Sequence, residues 1–278
     1  MSLVVERGYA VRHGYYEETT FGTAPTGTDT ATLSYNWGDV IEIDPAILPQ
    51  YIRVRYLSGS RDVARHVKVR EDVNLRTILQ PTTINVMQYA IGNISKSVTW
   101  WFNFTNINKD LVLTGCKANE LTVRGRPGEP LAVTMNWLCK DHSETAPQYS
   151  ELPSDPGTDP FVPPSDAVLK DGSAFVKAIA FELRIRNNLE RVPGWDTKPQ
   201  AIIEKHREIT GSITVTLEDF IELTDIINDT EFSLTLKISS INSFNLTGCK
   251  WDEFRVPSRP TDLIGLTLPF TAKSITLA

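Results

Sequence analysis

The sequence predicts a mainly β protein made of two tandem sandwich- or barrel-like units, each with one packed α-helix. Three observations predict it. Short runs of alternating apolar and polar residues recur between turn residues, each half holds one stretch with apolar residues at helical spacing, and one block of the first half is written again in the second. That block, Leu113–Trp137 (LTGCKANELTVRGRPGEPLAVTMNW), returns as Leu246–Phe270 (LTGCKWDEFRVPSRPTDLIGLTLPF). The two align without a gap: Gly115/Gly248, Cys116/Cys249, Glu120/Glu253, Val123/Val256 and Pro127/Pro260 coincide, and apolar pairs such as Leu121/Phe254 and Trp137/Phe270 fill places between.

Taken in order, residues 1–32 are rich in Thr and Gly without a sustained period and read as an extended arm. The first unit is assigned to 33–142. In Tyr51–Tyr56 (YIRVRY), Ile52, Val54 and Tyr56 alternate with Tyr51, Arg53 and Arg55, which is a half-buried strand, and a turn at 57–62 leads to a second alternating run over His66–Leu75. Pro81 can open a helix over Thr82–Ile91, with Gly92 as its stop. Ser97–Phe104 (SVTWWFNF) is an apolar strand, and the repeated block supplies two more. Residues 143–170 form the connector, because Ser143–Asp166 holds many prolines and acids with no Lys or Arg and reads as semi-rigid spacer. The second unit, 171–278, replays the first. Here FELRIR (181–186) is paired with YIRVRY, Ile209–Leu217 with the second hairpin strand, and Asp219–Ile227 with the helix, its Phe220, Leu223 and Ile227 on one side. A longer excursion, Asn187–Arg207, separates the first two strands of this unit.

Composition bounds the function. With 278 residues, 41% hydrophobic and 22% charged, the chain can bury about two domains' worth of core. Its net charge of -6 argues against a dedicated nucleic-acid binder. No apolar run is long enough for a membrane helix, and the charged N-terminus lacks the core of a signal peptide, so neither spanning nor standard export is expected. Three cysteines leave at least one free, and Cys116 and Cys249 read as buried thiols. His13, His66, His142 and His206 stand alone, with no second ligand at metal spacing, Cys116 and Cys139 form no CxxC motif, and Glu17–Glu18 reads as part of a solvated arm rather than an acid/base dyad. Gly22–Thr28 lacks the Lys of a phosphate loop. No catalytic, cofactor-binding or metal-binding set emerges. Arg53 and Arg55, echoed by Arg184 and Arg186, mark either a recurring polar face or a plain solvent-exposed one. Trp100 and Trp101 point to opposite faces of one strand, so one is core and the other is a candidate for contact with a neighbouring subunit.

Several stretches together carry a resemblance: GYYEETTFGTAPTGTDT in the arm, the GCK block with GEPLAVTMNWLCKD, FELRIRNNLERV, REITGSITVTLED, and the closing LIGLTLPFTAKS. In kind and order they resemble the tail tube (major tail) proteins of long-tailed, siphovirus-like phages and related archaeal viruses. The resemblance implies a non-enzymatic virion protein without cofactors, made in the host cytoplasm. Its sheets would join those of neighbouring subunits in rings around a β-barrel lumen, and the rings would stack into a conduit for double-stranded DNA. Relatives with one unit form rings of six, so two units per chain imply a trimeric, pseudo-hexameric ring. Further implied partners are a tape measure protein inside the tube and terminator and tip proteins at its ends. On this reading Arg53, Arg55, Arg184 and Arg186 are candidates for the lumen or a subunit face. Asn188, Arg191, Trp195 and Lys198 are candidates for ring stacking, and Trp100 and Trp101 for inter-subunit contact. The competing readings are a tandem β-sandwich binding module, for carbohydrate or surface adhesion through aromatics such as Trp195 and Trp251, and a tail-tip or baseplate component of the same fold.

Overall fold

The glycine of the repeated LTGCK motif is the point at which each half of the molecule bends. Gly115 and Gly248 have φ of 64° and 61°, a left-handed conformation that a side chain would strain. Each lies inside a long strand, and a Cβ on either would meet the side chain of Lys140 or Lys273, the same lysine in the two repeats. The amides of these lysines donate to the Thr114 and Thr247 carbonyls at 2.9 and 3.0 Å, so each bend is closed in the same way.

The computed structural model describes residues 11–24, 37–54, 65–146, 159–256 and 265–278. The first half contains β1 (Val11–Glu17), β2 (Asp39–Val54), β3 (Arg65–Gln80), α1 (Asn85–Ile91), β4 (Val98–Phe104), β5 (Lys109–Gly125), β6 (Ala132–Cys139) and β7 (Asp141–Thr145). The second contains β8 (Val168–Lys170), β9 (Ser173–Ala174), β10 (Ala178–Arg186), β11 (Glu190–Pro193), β12 (Pro199–Ile203), β13 (Glu208–Thr216), α2 (Ile221–Ile227), β14 (Phe232–Lys237), β15 (Ser243–Trp251), β16 (Gly265–Ala272) and β17 (Ser274–Leu277). The protein is mainly β, with one large curled sheet forming a half-barrel.

Pairing repeats between the halves. The order β2-β3-β6-β5 is followed by β10-β13-β16-β15, and beyond the bend β5 meets β4 and β7 as β15 meets β14 and β17. Even the register recurs: Ala118 faces Trp137 as Trp251 faces Phe270, and Val98 faces Cys116 as Phe232 faces Cys249. The two units are not separate sandwiches. Glu120–Gly125 of β5 pair antiparallel with Arg186–Phe181 of β10, which fuses both halves into one sheet. The apolar face of this sheet packs under the outer strands and the helices, in one core that includes Trp37, Trp100, Trp137, Leu121, Leu183, Phe244 and Phe270.

Several expectations change. The arm assigned to 1–32 contributes β1, which pairs along its whole length with β4. Glu18 is not solvated; it is buried and accepts hydrogen bonds from Ser97, Thr99 and the amides of Gly22 and Gly115. The connector assigned to 143–170 carries parts of the sheet at both ends, and Phe161 packs on the core with its amide bonded to Pro81. Cys116 is bonded to Cys139 across β5 and β6 rather than free. Its counterpart Cys249 faces the position of Ala272 and stays a buried thiol, with burial pushing its pKa up to about 11. Trp251 is core, against Phe232 at 4.6 Å, so it cannot serve as a surface aromatic.

Helix α1 is buried through Val86, Met87, Tyr89, Ala90 and Ile91. Helix α2 is held by Glu222, which with Asp219 binds the buried ammonium of Lys177, but Phe220 and Ile227, expected to pack, are exposed.

Candidate assembly surface

Alternation along the central strands turns one face to the core and leaves the other free. The free face is carpeted with small hydroxyls: Thr122, Thr134, Thr210, Ser212, Thr214 and Thr267. Its arginines are each matched to a carboxylate. Arg76 meets Glu42 at 3.0 Å and Arg124 meets Glu182 at 2.8 Å. Arg184 and Arg186 both bind Glu120, the second at 3.3 Å, and Asn136 donates to the same carboxylate at 2.9 Å. Desolvation by itself would lift the Glu120 pKa, yet the hydrogen bonds from Arg184, Asn136 and Arg186 outweigh it and hold the group below 4.5. The result is a polar face with its cations cancelled locally.

Arg53 does not share this face. The register places Ile47, not Val54, where Ile185 stands: Val73 faces Ile47 and Cys139, as Ile209 faces Ile185 and Ala272. YIRVRY is therefore not the counterpart of FELRIR. Alternation is too common a pattern to set a register, which tertiary pairing fixes. Tyr51–Val54 and Arg65–Val69, the last an unpaired residue at a register shift, instead form a two-stranded ribbon, with Arg53 opposite His66, that lies beyond the reach of β6. The ribbon exposes Tyr51, Ile52, Val67 and Val69. Arg55 lies outside the described residues.

The excursion after β10 is a hairpin, β11 with β12, tied down on the first half of its own chain. Arg191 donates to the Val73 carbonyl and Asn74, Lys198 pairs with Asp141, and Glu71 donates its amide to the Thr197 carbonyl. Asn188 closes the hairpin base by donating to the His206 carbonyl at 2.9 Å. Of the residues expected to meet another ring, only Trp195 stands fully exposed at the tip. Trp100 and Trp101 are both buried in the chain, Trp101 with Val112 against Tyr16 and Ala24, so neither can reach a neighbouring subunit. Alternation within the strand carries no sign of this, because the covering residues Tyr16 and Ala24 belong to the arm.

Near the ribbon, Glu71, Asp141 and His142 converge closely enough to hold a cation. Lys68 and Lys198 already neutralise Glu71 and Asp141, and their ammonium groups oppose a further dication. Among the described residues no helix is long and apolar enough to cross a membrane.

Two open edges complete the surface. Among the described residues, strand β2 ends the sheet on one side and pairs only with β3, and on the other side, past Asp252, whose amide still donates to the Pro269 carbonyl of β16, Glu253–Val256 has no strand partner. Exposed edges are usually blunted or used. Pro45 and Pro49 on β2 remove donors from that edge.

No curated protein matches the chain at a significant level. The profile of a known family does match, over residues 8–272 and so across both halves and the sheet that joins them, and the chain belongs to the phage tail tube protein family, a non-enzymatic structural component of the virion tail.

Proposed function

We propose that three copies of this chain close into a ring, that the rings stack into the tail tube, and that the tube is the conduit through which the genome is delivered. The observation that carries this reading is the curled sheet, open at both edges, with a neutralised hydroxyl-rich face turned away from the core. Each chain contributes eight strands, β2-β3-β6-β5-β10-β13-β16-β15, to the inner wall. Three chains give about 24, more than the 16–18 that already enclose an aqueous channel. Closure removes every edge.

The free face then lines the lumen, Arg184 and Arg186 included. DNA affinity grows with the number of phosphates met by free cations. Because Arg76, Arg124, Arg184 and Arg186 are held by Glu42, Glu182 and Glu120, passing DNA finds few such cations and slides. The same face suits a tape measure protein before ejection, and terminator and tip proteins meet the ends of the stack. A duplicated gene accounts for the repeated motif and pairing, and gives the ring its pseudo-sixfold character. Ring stacking falls to the exposed apolar ribbon of Tyr51, Ile52, Val67 and Val69, together with Trp195.

Negative-stain electron microscopy over a concentration series, with mass from light scattering, tests the proposal. Rings with a central hole and three chains each, growing into tubes, are the expected result. Six chains per ring would overturn the pseudo-hexamer, and rings that never stack would point to a tail-tip role. Trp195→Asp should leave rings intact and shorten tubes.

A further inference from the structure

The joint between the two halves of the chain is a template for the joint between chains. Inside the chain, Leu121 and Val123 of β5 lie opposite Ile185 and Leu183 of β10, and all four are buried. The repeated register puts Phe254 and Val256 where Leu121 and Val123 stand, and puts Ile47 and Pro45 of β2 where Ile185 and Leu183 stand. In the single chain Ile47 and Val256 are exposed, and Pro45 and Phe254 are only half-buried. Ile47 is 37% exposed against 0% for Ile185, and Val256 is 37% exposed against 0% for Val123.

The helices show the same asymmetry independently. Helix α1 lies in the internal joint, where Asn187 donates to the Ala90 carbonyl and Arg207 to that of Ile91. Ile91 is 6% exposed, whereas Ile227, at the same place on α2, is 73% exposed.

We infer that a second copy of this chain docks here, its β2 adding antiparallel to Glu253–Val256 with Phe254 opposite Ile47 and Val256 opposite Pro45. The same placement brings the copy's Pro49 and Glu71, the counterparts of Asn187 and Arg207, over the C-terminal turn of α2. The occupant is a copy because the two complementary edges lie at opposite ends of one sheet, which makes a heterologous contact able to close into a ring.

The copied joint differs from its template in chemistry. Arg184 and Arg186, which clamp Glu120, are replaced on β2 by Ala46 and Leu48, and Glu253 turns instead to Arg255 at 2.6 Å. Pro45 and Pro49 remove backbone donors that β10 retains. The joint between chains therefore rests on apolar burial, is weaker than the internal one, and forms after each chain has folded.

Cysteine pairing reads the register directly. The inference draws on ring assembly only for the copy number, so the two can fail separately. In Leu48→Cys/Glu253→Cys, mild oxidation should link chains into covalent trimers on a non-reducing gel, with the linked peptide identified by mass. The shifted pair Ile47→Cys/Glu253→Cys should link at least 10-fold less. Rings whose cross-linking is no better in register than out of it would overturn the inference and leave the ring standing. Cross-linking in register without rings would support the joint and remove the ring. Neither rings nor cross-links would overturn both. As a second variant, Ile227→Lys should weaken association more than 10-fold with an unchanged monomer melting temperature; unchanged association would sink the inference.

Discussion

Replacing Glu18 by Gln should destabilise the protein out of proportion to one atom. The carboxylate is buried and accepts from Thr99 Oγ1 and the Gly115 amide on one oxygen, at 2.7 Å each. On the other oxygen it accepts from Ser97 Oγ at 2.5 Å and the Gly22 amide at 2.7 Å. Whichever oxygen becomes the amide NH2 then faces a backbone N–H that cannot reverse its polarity. One buried donor is left without an acceptor and the charge assistance of the others is lost, which together cost about 3 kcal/mol. For a chain of this length that is a fall in melting temperature of about 6–9 °C. Calorimetry of the monomer measures it, with Glu17→Gln as the control. Glu17 is half-exposed and pairs with Lys96 at the surface, so its change should cost no more than about 1 kcal/mol. Hydrogen exchange at Gly22 and Gly115 should accelerate in Glu18→Gln alone. A loss no larger than that of Glu17→Gln, with both amides still protected, would refute the reasoning.

Three further outcomes are expected. Gly115→Ala, Gly248→Ala and Gly172→Ala all place a side chain at positive φ, at about 1–2 kcal/mol each, but they differ in surroundings. A Cβ at Gly115 meets the Lys140 Cβ at 2.6 Å, at Gly248 it meets more movable Lys273 atoms, and at Gly172 it meets nothing, so melting temperatures should fall in the order Gly115, Gly248, Gly172, largest first. Because the Glu120 pKa is lower in the folded chain, its contribution to stability is present above about pH 4.5 and is lost as pH falls through the folded value; denaturation midpoints from pH 6 to 3 should drop less steeply in Glu120→Gln than in the parent. Denatured without reductant, the protein should take up iodoacetamide at Cys249 alone, and after reduction at Cys116 and Cys139 as well; labelling of all three without reduction would contradict the Cys116–Cys139 bond.

The sequence by itself determined the β class, a helix within 82–91 and its echo within 219–227, and the repeated block with its glycine, cysteine and lysine. These are local quantities. Alternation, helical spacing and an aligned repeat need no knowledge of what lies across the sheet. The free-face positions of Arg184 and Arg186 were legible too, since alternation fixes which side chains share a face. What only the tertiary structure decided is which strands meet. It set β10 against β5 and so merged two expected sandwiches into one sheet. It displaced Tyr51–Val54 into a ribbon, seated Tyr16 and Ala24 over Trp101, and turned Glu18 from a solvated acid into a buried acceptor. The physical reason is that alternating strands offer many pairings of similar local quality. The choice among them rests on contacts between residues far apart in the chain, such as Gly115 with Glu18 and Val73 with Arg191, whose partners no window of sequence contains.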